Sequence, residues 1–171
     1  GAGCSNGTVT NNYLVGSTPL LLVACTPVMT GNVLYNLQAA QWGWAPFRPQ
    51  DYPANTYYSQ RPTTNVVKVR PNLYEAGRGH VVIYNWLRQS YVAVDLTPIG
   101  LAPGEDFEVR DAQNFFGPPV LTGVYNGAPV YVPMYGLPLV LPRGNVPVIP
   151  AHTAPDFGVF VVMRRTSSGD R

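Results

Sequence analysis

Four carboxylates lie close together in this chain: Glu105, Asp106, Glu108 and Asp111. Glycoside hydrolysis uses a pair of such groups set across a cleft, one as acid and one as base or nucleophile. If this stretch is a strand, Asp106 and Glu108 share one face about 7 Å apart, and that face reads as solvated. Asp106, Glu108 and Asp111 are also hard oxygen ligands, but the segment lacks the dense Asp/Asn/Gly spacing of a calcium loop. His80 and His152 are the two histidines, too few for a zinc site, and each reads as a surface or strand-end residue. No serine stands in a Gly-x-Ser-x-Gly turn. Gly77-Arg78-Gly79 precedes a strand rather than a helix, so it offers no helix terminus to a phosphate. The chain reads as non-catalytic, with no metal and no cofactor expected.

A second chemistry is carried by rings. Trp42 and Trp44 lie within six residues of Phe47, and Tyr52, Tyr57 and Tyr58 follow. If exposed, Trp42, Trp44, Tyr57 and Tyr58 make a sugar-stacking platform, since ring faces lie flat on pyranose C–H surfaces. If buried, they form a hydrophobic plug that glues one part of the chain to the next.

The composition indicates which elements must position these groups. The 171 residues fit one domain or one with an appendage. Hydrophobic residues make up 46% and charged ones 12%, which excludes a charge-driven disordered segment. Gly 17 and Pro 18 together make about a fifth of the chain, against a usual ~12%. So many breakers leave no room for long helices, while the aromatic and β-branched surplus favours short strands and tight turns. The fold class is all-β. The net charge of +2 rests on scattered Arg and one lysine, Lys68, so nucleic acid is not an expected partner. No apolar run approaches the ~20 residues of a membrane helix.

Low charge, abundant Tyr, Thr and Asn, and the glycan acceptor sequence Asn6-Gly7-Thr8 suggest an exported protein, extracellular or at a cell surface. Cys4 and Cys25 can pair in an oxidising compartment, or stand as two buried thiols. Gly1-Ala2-Gly3 is not a signal peptide, which points to a trimmed product or a fragment.

The amino-terminal part repeats. Thr8-Val9-Thr10-Asn11-Asn12-Tyr13-Leu14 aligns with Pro27-Val28-Met29-Thr30-Gly31-Asn32-Val33-Leu34-Tyr35, 20 residues on. Asn55-Thr56-Tyr57-Tyr58 is a weaker third copy, 23 residues further. Such a period, with Asn at a bend that needs left-handed backbone, suits the rungs of a parallel β-helix. Cys4 and Cys25 fall within one residue of the same register. The competing reading is a pair of hairpins with ordinary turn asparagines. An open first rung would expose an unpaired strand edge to another chain.

From residue 66 eight strands are expected: 66–70, 80–86, 91–96, 107–110, 120–125, 130–132, 137–141 and 157–163. Their spacing is that of a sandwich. Asn126-Gly127 reads as a type I′ hairpin turn, and the hydrophobic last strand reads as central. Asp111-Ala112-Gln113-Asn114 reads as a polar corner, after which Phe115-Phe116-Gly117-Pro118-Pro119 re-enters the core.

Two long motifs carry a resemblance. They are Val69-Arg70-Pro71-Asn72-Leu73-Tyr74-Glu75-Ala76-Gly77-Arg78-Gly79-His80-Val81-Val82-Ile83-Tyr84-Asn85-Trp86 and Pro103-Gly104-Glu105-Asp106-Phe107-Glu108-Val109-Arg110-Asp111-Ala112-Gln113-Asn114-Phe115-Phe116-Gly117-Pro118-Pro119-Val120. Together with the preceding repeat they resemble the C-terminal region of bacterial secreted right-handed parallel β-helix proteins, many of unassigned function. The resemblance implies an extracellular setting and transfers no catalytic residue. The expected organisation is parallel β-helix coils over 1–36, an aromatic connector with a last coil over 37–65, an antiparallel β-sandwich over 66–165 and a frayed tail over 166–171. The expected role is a structural module that caps a β-helix, with the preceding coils, a polysaccharide or copies of itself as partners. The alternative is a carbohydrate-binding accessory domain of a polysaccharide-acting β-helix enzyme.

Overall fold

The structure is a computed structural model, described for residues 6–17, 19–22, 24–36, 48–144, 148 and 150–165. It divides into two compact units, Gly1–Pro62 and Thr63–Arg171.

In the first unit, strand β1 (Thr8–Thr10) pairs in parallel with β3 (Val28–Thr30). Strand β2 (Tyr13–Gly16) pairs with β4 (Val33–Asn36), and β4 with β5 (Thr56–Tyr58), again in parallel. A hairpin joins antiparallel strands, so the parallel pairing rules hairpins out. The register sets Leu14 beside Leu34 and Leu34 beside Tyr57, the alignment read from the repeat. Leu22, Met29 and Leu34 are buried, with Val9, Leu14, Leu20, Cys25, Tyr52 and Tyr57 packed on them. The chain turns between β1 and β2 at Asn11 (φ 56°) and between β3 and β4 at Gly31 (φ 67°). A Cβ on Gly31 would collide with the Asn11 side chain, so this bend needs glycine for space as well as for φ. Neither parallel sheet closes on itself.

The second unit is antiparallel. Its main sheet runs in the order β10 (Leu121–Val124), β9 (Asp106–Asp111), β12 (Phe157–Arg164), β7 (Arg78–Tyr84), β6 (Val66–Pro71). The hydrophobic last strand, β12, is central, as expected. A ribbon of β8 (Tyr91–Val94) and β11 (Val130–Pro133) forms the other sheet. Both contribute to one core containing Val81, Ile83, Val92, Val94, Val109, Val132, Phe160 and Val162. Strands β7, β8 and β9 alternate between buried and exposed residues, as one-faced burial requires. Two antiparallel sheets over a shared core are consistent with a β-sandwich.

Three local expectations are corrected. Residues 137–141 form no strand; Pro138 and Pro142 bracket the apolar run and lack the N–H that a ladder needs. Asn126-Gly127 does not close a hairpin, because β10 pairs with β9 and β11 with β8. Only Gly127 has positive φ there, whereas type I′ needs it at both positions; the Asn126 side-chain Oδ1 instead accepts from the Ala128 N–H at 2.9 Å. Phe116 does not re-enter the core but is 95% exposed, since the tight bend at residues 114–117 turns its ring outward while Phe115 stays partly covered.

Candidate functional site

The repeated asparagines form a hydrogen-bonded ladder. Asn12 donates from its backbone N–H (2.9 Å) and from Nδ2 (3.0 Å) to Oδ1 of Asn32. Asn32 does the same toward Oδ1 of Asn55, at 3.0 and 2.7 Å. The remaining amide proton of Asn32 goes to the Val9 carbonyl, and the two Nδ2 protons of Asn55 go to the Met29 and Tyr52 carbonyls. A carboxamide has both donor and acceptor faces, so a stack of them can satisfy every rung but the last at each end. Asn32 is wholly buried and fully bonded. At the outer end the Asn12 Nδ2 turns to the Thr10 carbonyl, and no hydrogen bond to Asn12 Oδ1 is found among the described residues.

A second ladder, of rings, runs on the same strands. The Tyr13 and Tyr35 centroids lie 5.4 Å apart, and Tyr35 stacks on Tyr58 at 4.7 Å. Tyr35 is buried while Tyr58 is 45% exposed. Tyr57, the next residue along β5, faces the other way: it packs against the interior and its hydroxyl donates to the Tyr52 carbonyl at 3.1 Å. Burial pushes the Tyr57 phenol up. The structure therefore does not bring Tyr57 and Tyr58 onto one face. Trp42 and Trp44 lie outside the described residues. Cys25 is disulfide-bonded, and Cys4 lies outside the described residues. Asn6 is exposed, with φ 59°.

The carboxylate cluster is dispersed among separate partners. Glu105 accepts from the Ala102 N–H and pairs with Arg164 at 3.1 Å. Glu108 pairs with Arg110 at 2.6 Å; Arg110 in turn donates to the Phe115 and Gly117 carbonyls, which shapes the loop after β9. Asp106 is exposed, and Asp111 faces inward, 2% exposed. Asp106 and Glu108 share the outward face of β9, as their spacing predicts, and Asp111 lies on the opposite face.

His80 is exposed on β7, as expected. His152 is not: its side chain is 11% exposed and its Nε2 lies 2.6 Å from Asp111 Oδ2. The Ala154 N–H donates to His152 Nδ1 at 2.9 Å, which assigns the neutral ring's proton to Nε2 and the Asp111 bond. Both ring nitrogens are thereby engaged, and neither faces a nucleophile. Thr153 adds two bonds to Gln113 Oε1, at 3.0 and 2.7 Å. The pair therefore fastens the loop before β12 to the corner after β9. Residues 41 apart in sequence gave no periodic signal for it.

Among the described residues no group of three or more His, Cys, Asp or Glu is placed to hold a metal ion. Among them, too, no helix is long and apolar enough to cross a membrane. The sequence matches no protein-family model, no curated protein and no solved structure.

Proposed function

We propose that this chain is a non-catalytic extracellular structural module. On this reading β1 to β5 are coils of a right-handed parallel β-helix, and the antiparallel unit is the sandwich that ends and caps the stack. The observation that carries it is the asparagine ladder across strands 20 and 23 residues apart, with an acceptor left over at Asn12. A ladder of this kind is periodic, so its free end fits a further rung, from the preceding coils of the same protein or from another copy. The separate ion pairs of the carboxylates and the doubly engaged His152 favour a structural over a catalytic role. The glycan acceptor at Asn6 and the disulfide-bonded Cys25 suit an extracellular setting.

Deleting residues 63–171 tests the capping role. The expected result is concentration-dependent aggregation of the remaining unit, seen by light scattering. A shortened chain as soluble as the whole one contradicts it.

A further inference from the structure

We propose that the second unit carries a binding site for a neutral polysaccharide on the outer face of the β8/β11 ribbon and in the groove beside it.

The groove is open, about 490 Å³, and lined by Val67, Lys68, Val69, Ala93, Asp95 and Pro98. It lies where β6, an edge strand of the main sheet, and β8 of the ribbon both leave an edge unpaired. Ala93 joins the groove to the ribbon's outer face. Directly across from Ala93 is Tyr131, and two residues before it is Tyr91, opposite Pro133. Tyr91 and Tyr131 are 61% and 64% exposed. As diagonal neighbours on one face, their backbones stand roughly 7–8 Å apart. Neither makes a ring contact with another aromatic residue among the described residues. This sets them apart from Tyr35 and Tyr58, whose faces are stacked on each other.

Two open phenol faces at diagonal positions on one face of the ribbon match the C–H faces of neighbouring sugar rings. A purely aliphatic partner would be served as well by Leu or Val, whereas Tyr adds a hydroxyl at the wet rim of each ring. The groove supplies the polar complement. Asp95 is exposed, and hydrogen bonds from Thr97 hold its carboxyl below the ordinary range, so it is an ionised acceptor for sugar hydroxyls. Lys68, exposed on β6 and in no ion pair among the described residues, is a donor. One carboxylate and one ammonium leave the groove without net charge, which suits a neutral ligand; a uronate would gain at Lys68 but meet Asp95. A few polar groups beside an apolar surface is the usual make-up of a ligand site. This proposal does not depend on the coil reading of the first unit, and it moves the sugar contact away from Trp42, Trp44, Tyr57 and Tyr58.

Affinity electrophoresis of the full chain tests it, in gels carrying xyloglucan, galactomannan, mixed-linkage β-glucan or starch, with polygalacturonate as the acidic comparison. Retardation is expected in at least one neutral gel, with affinity reduced at least tenfold in the Tyr91→Ala, Tyr131→Ala double variant and severalfold in Asp95→Asn. Should the double variant lose its melting transition, Asp95→Asn alone decides. The proposal is overturned by no retardation in any neutral gel, by retardation in polygalacturonate only, or by variants retarded like the parent. It is also overturned if sedimentation shows self-association that the double variant abolishes, for the tyrosines would then contact a second copy.

Discussion

Asn12 and Asn32 are joined twice, the backbone and side-chain amides of the first both donating to the side-chain carbonyl of the second, at 2.9 and 3.0 Å. Residues 20 apart in sequence are thus neighbours in adjacent parallel strands, and Asn55 extends the same line. The interior position and the terminal one should respond differently to substitution.

Asn32→Ala removes an acceptor from two Asn12 donors and a donor from the Val9 carbonyl. Leaving such groups buried and unpaired costs about 3 kcal/mol. Hydrogen exchange at the Val33 and Thr56 amides, which bond across the strands, should accelerate roughly a hundredfold. Asn12→Ala, at the exposed end, should cost less than about 1 kcal/mol.

Gly31→Ala forces a side chain into left-handed backbone and against Asn11. The φ contribution alone is about 1–2 kcal/mol. The melting temperature should fall, and Asn11→Gly, which relieves the collision, should recover part of the loss in the double variant. Additive effects of the two substitutions would contradict the contact.

The Asp111–His152 pair is buried and ties together segments distant in sequence. Asp111→Ala and His152→Ala should each destabilise by about 2 kcal/mol, because each strands the other's polar atoms. A double-mutant cycle should give a coupling of about 1–3 kcal/mol. Independent effects would show that the loop before β12 is held by Thr153 and Gln113 instead.

Tyr84 sits against Phe157, with ring centroids 5.1 Å apart, and burial pushes its phenol above the ordinary tyrosine range. An unfolded tyrosine ionises near pH ~10, before the folded one does. Stability should therefore be unaffected below that pH and should fall as pH rises through the folded value. Spectrophotometric titration of wild type against Tyr84→Phe should show one late-titrating phenol missing in the variant.

The features legible in the sequence were those carried by a period or by composition. The Asn12, Asn32 and Asn55 register followed from the repeat, the central place of β12 from its unbroken hydrophobicity, and the corner at Asp111 from its run of turn-forming side chains. Residues 137–141 misled because an apolar run speaks to burial and is silent on whether the N–H groups exist to pair. Asn126-Gly127 misled because a turn dipeptide fixes a local bend but not which sheet the chain enters next. The Asp111–His152 pair, and the nearness of Lys68 to Asp95, arise from the packing of segments distant in sequence and left no mark in local sequence.

Strand direction in the first unit is the point on which the structural-module account turns. Cross-strand nuclear Overhauser contacts in the labelled full chain measure it directly. Contacts linking Leu14 to Leu34 and Leu34 to Tyr57, in a parallel pattern and with Asn12 amide protons near Asn32, are the predicted result. An antiparallel pattern within residues 8–36, or no contact between Asn12 and Asn32, would contradict the account.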